Sequence, residues 1–205
     1  MKVRKKQANR IGIYAGAFNP VHAGHIAFAL QAIQAAKLDG VVFLPERQPR
    51  FKSGVEHFGH RVAMLKGAIK PHPGLAVLEL VDRNFTVRRT WPRLQATFPN
   101  TTFVLLMGSD AAQHLPDWPH AEELMKGTEL VVGVREDDRV MATKRMIDEW
   151  QVAPKRHYIF KSYAPDVSSE AVREAIQTQR HRKGLLHSVR QYARRNWLYV
   201  SLENC

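Results

Sequence analysis

Cysteine is almost missing from this chain: 205 residues hold one, Cys205, at the last position. A lone thiol makes neither an internal disulfide nor a thiolate metal cage, and a reducing, cytoplasmic compartment fits it. Long apolar runs are missing too. None approaches the ~18–20 residues that cross a bilayer, and no apolar stretch follows the basic start as a secretory signal requires. There is no repeat of roughly 20–50 residues and no Gly/Ser linker. Acids are scarce, 19 against 31 Lys and Arg, for a net charge of +12. The excess is local. Residues 1–10 carry five bases and no acid, residues 180–197 carry six and no acid, and the remainder is nearly neutral. Basic ends either attract polyanions or are solvated surface near a polyphosphate site. With 44% hydrophobic and 24% charged residues, the composition is globular and excludes disorder or collagen.

Short apolar runs alternate with helical patterns. Strands are expected at Ile11–Ala15, Val41–Leu44, Leu75–Val81, Thr102–Met107, Leu130–Val134 and His157–Phe160. Several are apolar at consecutive positions, as in strands covered on both faces. Helices are expected at His25–Lys37, Phe58–Ile69, Ala121–Lys126, Val140–Trp150 and Glu170–Gln179. Such alternation predicts an α/β fold with a parallel sheet and helices on both faces. Pro92 interrupts a helical pattern from Thr86 to Phe98, so the regular helix is expected to begin near Thr90. Pro45–Gly54 reads as a long polar loop, and the segment after Pro165 as helical.

In an open parallel sheet, ligands bind beyond the carboxyl ends of the strands, at the switch point of the strand order. The first strand runs into Gly16-Ala17-Phe18-Asn19-Pro20-Val21-His22-Ala23-Gly24-His25 and then a helix. This is not G-x-G-x-x-G, and neither G-x-x-x-x-G-K-[ST] nor H-E-x-x-H occurs. His22 and His25 are three apart at a helix start, so both rings can face one side. Gly16 permits close backbone approach, and a helix N-terminus suits phosphate. A second such start follows Val167-Ser168-Ser169-Glu170-Ala171-Val172-Arg173. Ser168 or Ser169 can cap that helix, and Arg173 lies one turn in.

The first segment resembles the G-x-F-[DN]-P-x-H-x-G-H signature of the HxGH nucleotidyltransferase superfamily, and the second resembles its I-S-S-x-x-I-R signature with valine for both isoleucines. Within that superfamily the chain is most similar to the bacterial nicotinate-mononucleotide adenylyltransferase family. The likeness extends to His60-Arg61-Val62-Ala63-Met64-Leu65, Asn84-Phe85-Thr86 through Thr90, Gly108-Ser109-Asp110 through Trp118, and the ending Leu185-Leu186 to Leu198-Tyr199. The resemblance implies a Rossmann-like, doubly wound parallel sheet in one nucleotidyltransferase domain over 1–205. The sheet core would cover about 10–165 and a helical segment about 166–205.

It also implies a reaction of NAD biosynthesis: ATP and nicotinate mononucleotide give deamido-NAD and pyrophosphate. His22 and His25 would be catalytic, contacting the ATP phosphates. Gly16, Ala17, Phe18, Lys52, Gly108, Asp110, Ser168, Ser169 and Arg173 would complete the ATP site. Thr86 and Trp118 would receive the pyridine of the acceptor. Magnesium would arrive with ATP, with no protein metal cage. The family loop P-P-H-K is replaced by Gln48-Pro49-Arg50-Phe51-Lys52, where Lys52 keeps the basic character and Arg50 and Phe51 are new. An aromatic common after the tryptophan is Pro119 here. The acceptor end therefore departs further than the ATP end, and nicotinamide mononucleotide is the alternative acceptor. A non-catalytic nucleotide or nucleic-acid-binding module is the lesser reading of the +12 charge, since no recognition-helix or RNA-binding signature appears. The expected partners are ATP and a pyridine mononucleotide, not a membrane, with a homo-oligomer left open.

Overall fold

A computed structural model describes residues 10–50, 52–135, 138–164 and 166–200. Phe51, the basic residues of 1–9 and Cys205 lie outside the described residues. The strands are β1 (Arg10–Gly16), β2 (Gly40–Pro45), β3 (Leu75–Val77), β4 (Thr102–Gly108), β5 (Glu129–Val134) and β6 (His157–Lys161). The helices are α1 (Ala23–Ala35), α2 (Phe58–Ile69), α3 (Val87–Thr97), α4 (Ser109–Ala112), α5 (Ala121–Gly127), α6 (Asp138–Asp148), α7 (Ser169–Gln177) and α8 (His187–Arg195). The strands form one sheet in the order β3-β2-β1-β4-β5-β6, and every pairing is parallel. The α/β expectation holds.

Consecutive apolar residues in a strand serve opposite faces. In β4, Val104 and Leu106 join the core beneath α1, α2, α7 and α8. Phe103, Leu105 and Met107 join the core beneath α3, α5 and α6. β2 divides likewise, with Val41 and Phe43 on one side and Val42 and Leu44 on the other. This is why the strands read as unbroken apolar runs. The order reverses between β1 and β4, which opens a crevice beyond Gly16 and Gly108. Among the described residues, no helix is long and apolar enough to cross a membrane.

Two expectations are corrected. β3 ends at Val77 rather than Val81. Leu78 still donates its N–H to the Phe43 carbonyl, but the chain then turns out, and Val81 is 74% exposed. Helix α3 begins at Val87, not near Thr90, and carries Pro92 inside it. Val87, Thr90, Trp91 and Leu94 are all buried at helical spacing, and that packing outweighs the donor that proline lacks.

Candidate active site

The segment after β1 is shaped by one unusual residue. Phe18 has φ +46, a left-handed backbone that an aromatic side chain rarely adopts. Its ring is buried and meets Tyr14, His25 and Phe43 edge-on, with centroids 5.1–5.3 Å apart. Phe18 thus supports the histidines from beneath rather than lining the cleft.

His22 precedes α1, and its ring stacks on His25 at 3.7 Å with 28° between planes. Gly24 makes this possible, since a Cβ there would stand 3.0 Å from the His22 ring. The His22 backbone N–H donates to His25 Nδ1 at 3.2 Å. That nitrogen is therefore unprotonated, and neutral His25 carries its proton on Nε2. His22 Nδ1 is buried without a hydrogen-bond partner among the described residues. Burial, together with the positive charge of Arg135, lowers the His22 pKa to about 4. Burial lowers His25 well below its ordinary value too, helped by His22 and Lys52. Both rings are neutral at pH 7 without a bound anion, and a polyanion would oppose that shift.

The α1 terminus is less open than the sequence suggests. The Ala23 N–H donates to the Gly184 carbonyl at 3.0 Å, and the His25 N–H to the His22 carbonyl at 3.0 Å. Anion binding here must lean on the imidazoles more than on bare amides. At α7, Ser168 Oγ accepts from Ala171 N–H, as the cap expected for this helix. Ser169 Oγ donates to the Pro20 carbonyl at 3.0 Å, and Arg173 Nη1 to the Asn19 carbonyl at 2.8 Å. Two segments about 150 residues apart in sequence are thereby joined directly.

Together they wall a cleft of about 580 Å³ at the switch point. Of the predicted site residues, Ala17, His22, His25, Lys52, Gly108, Ser168, Ser169 and Arg173 line it. Gly16 and Phe18 do not; a Cβ on Gly16 would meet the Phe18 ring at 3.2 Å, so this glycine makes room for that ring. Asp110 opens instead on an adjoining hollow of about 230 Å³ with Ser109, Gln113 and Arg139. Thr86 and Trp118 belong to neither. Trp118 packs against Phe85 at 6.1 Å, and Thr86 Oγ1 is buried with no hydrogen-bond partner among the described residues. Beside them, Arg50 Nη2 donates to Asn84 Oδ1 and the Phe85 carbonyl, both at 3.1 Å.

Sequence reasoning missed Arg135, Ser53 and Asn19 as cleft residues. Arg135 was within reach, because it directly follows β5 at its carboxyl end. Sequence reasoning placed Arg61 in a motif without a role, and that residue is fully buried in α2. Arg61 donates to the Glu56, Ala17, Glu46 and Arg47 carbonyls, binding the loops after β1 and β2 to α2.

Among the described residues, no three His, Cys, Asp or Glu side chains converge as a metal cage. Among the described residues, the polar lining is hydroxyl, amide, imidazole and cationic, with Glu170 the sole carboxylate. Such donors suit phosphates, and a divalent ion fits there as part of a phosphate complex.

Comparison with known proteins agrees with this geometry. The cytidylyltransferase-like family model matches residues 13–175. A Gloeobacter violaceus protein named "probable nicotinate-nucleotide adenylyltransferase" is 32% identical over 181 residues, covering 83% of this chain and 85% of its own. The Bacillus subtilis nicotinate-nucleotide adenylyltransferase is 29% identical over 201 residues, covering 94% and 99%. A Plasmodium falciparum nicotinic acid mononucleotide adenylyltransferase, solved in complex with NaAD, superposes with a TM-score of 0.76. It is 17% identical and covers 93% of this chain and 97% of that one. At that identity the likeness concerns the fold.

Proposed function

The chain belongs to the cytidylyltransferase-like family and, within it, to the nicotinate-nucleotide adenylyltransferases, and from that premise we infer how its residues join ATP to nicotinate mononucleotide. The products are deamido-NAD and pyrophosphate, and the step belongs to NAD biosynthesis. The observation that carries the residue assignment is one cleft faced by two helix starts, His22 and His25 on one and Ser168, Ser169 and Arg173 on the other.

The mononucleotide phosphate is already an anion, so no base is needed. Its oxygen forms a bond to the α-phosphorus while the bond to the β-phosphate oxygen breaks, and pyrophosphate leaves with the electron pair. The residues then act by positioning and charge stabilisation. We assign His22 and His25 to the α-phosphate. Buried imidazoles that are neutral when the cleft is empty gain a proton as the triphosphate enters, placing positive charge where negative charge develops. Ser169 and Arg173, with Lys52 opposite, hold the β- and γ-phosphates, and Ser168 keeps the α7 start in place. Gly108 leaves open space at the end of β4 for the nucleoside, and Asp110 in the adjoining hollow takes its ribose. Thr86 Oγ1 and the Trp118 ring receive the pyridine. A magnesium ion bound with ATP would be held by phosphate oxygens and water rather than by side chains, and would neutralise phosphate charge. The proposed setting is one cytoplasmic domain.

The test is pyrophosphate release with ATP and magnesium, offering nicotinate and nicotinamide mononucleotide in parallel. Strong preference for nicotinate is expected. Equal use of both would assign the altered 48–52 loop to a broader acceptor, and use of neither would overturn the reading.

A further inference from the structure

The C-terminal turn reaches the cleft by a hydrogen bond to one residue, Asn19. Asn19 is 6% exposed and bonds through both ends of its amide. Oδ1 accepts the Glu56 N–H at 3.2 Å and the Tyr199 hydroxyl at 2.9 Å. Nδ2 donates to the Gly54 carbonyl at 3.3 Å. These partners fix the orientation of the amide, because a backbone N–H must meet oxygen and a carbonyl must meet nitrogen. The carbonyl of Asn19 receives Arg173. Segment 52–56, pinned by Asn19, supplies Lys52, Ser53 and Val55 to the cleft wall.

Tyr199 itself does not line the cleft. It arrives there by an unusual route. Trp197 and Tyr199 both have left-handed backbones, φ +54 and +60, although neither is glycine. Such conformations persist where surroundings hold them. Trp197 is 77% exposed, while Leu198 is buried and the Tyr199 hydroxyl meets Asn19. The turn thus serves the contact with Asn19.

We propose that Tyr199 is a positioning residue for ATP: through Asn19, its hydroxyl fixes segment 52–56 and so holds Lys52 against the phosphates opposite His25. The proposal rests on the ATP-site reading above. It makes the last described turn a working part of a site whose other elements lie at the head of the sheet.

The experiment is a binding cycle with a non-hydrolysable ATP analogue on wild type, Tyr199→Phe, Lys52→Met and the double variant. Tyr199→Phe removes one hydroxyl and keeps the ring. It should weaken analogue binding about 3–10-fold, the scale of one hydrogen bond. The KM for the mononucleotide should stay unchanged, and the thermal midpoint should fall by no more than the few degrees one hydrogen bond is worth. In the Lys52→Met background, the same change should cost less than about twofold, because coupled residues are non-additive. Unchanged affinity in Tyr199→Phe overturns the proposal. So does an equal loss in both backgrounds, or a fall in thermal midpoint of more than about 5 °C, larger than one hydrogen bond explains. Because the readout is ATP-analogue binding, failure here is distinguishable from failure of the acceptor assignment, which the pyrophosphate assay reads on wild type alone.

Discussion

Two imidazoles stacked 3.7 Å apart in a buried corner resist protonation, and this sets their pH behaviour. His22 binds its proton near pH 4 in the folded chain but near 6.5 when unfolded. Between those values the unfolded chain holds more protons, so stability rises with pH. The full stability is present above about pH 6.5 and is lost as pH falls towards 4. Urea midpoints at pH 7 and pH 5 should show this loss, and His22→Ala should reduce it. Binding of an ATP analogue near pH 6 should take up protons, measurable by calorimetry in buffers of different ionisation enthalpy. For turnover, His22→Ala or His25→Ala should each lower kcat by about 10²–10³, as for loss of one stabilising group in a transition state. The thermal midpoint should move little by comparison. Near-normal kcat in both would overturn the assignment. The sequence revealed these two residues because their spacing and their place after a strand carry meaning on their own. It concealed Phe18 as their support, since an aromatic in a signature reads equally as ligand contact or as packing.

At the scale of elements, the loops are fixed by a side chain that the motif reading quoted but gave no role. Arg61 in α2 is fully buried and bonds four carbonyls. Arg61→Lys keeps the charge but loses the planar fork, leaving several carbonyls unpaired. It should destabilise the protein by about 3 kcal/mol or more, the scale of a broken buried network. Chemical denaturation measures this; a change under about 0.5 kcal/mol would show that the loops hold themselves. Six strands and five helices were legible as periodicities, because burial on both faces or one stripe writes itself into apolar spacing. α3 was misjudged at its start because proline propensity is local, whereas the buried set Val87, Thr90, Trp91 and Leu94 is a tertiary matter. β3 was overextended because Leu78–Val81 is apolar enough for a strand, yet Val81 has no layer to cover it.

For the whole molecule, the net charge of +12 raises the question of polyanion binding. The cleft itself is cationic, with Lys52, Arg135 and Arg173 in its wall, so ATP should win there by geometry rather than by charge alone. RNA should displace the ATP analogue only at low salt and fail to do so near 150 mM, as expected for non-specific phosphate contacts. Tight RNA binding at that salt without ATP binding would favour the non-catalytic reading. By itself the sequence determined the α/β class, the two helix starts that carry the signatures and the family, because apolar period, caps and short signatures are local properties of the chain. Only the tertiary structure decided that the two helix starts share one crevice, that Gly184 occupies an amide of α1, and that Tyr199 reaches Asn19. Those contacts join residues some 160–180 positions apart, and no local pattern encodes which distant surfaces a folded sheet will bring together.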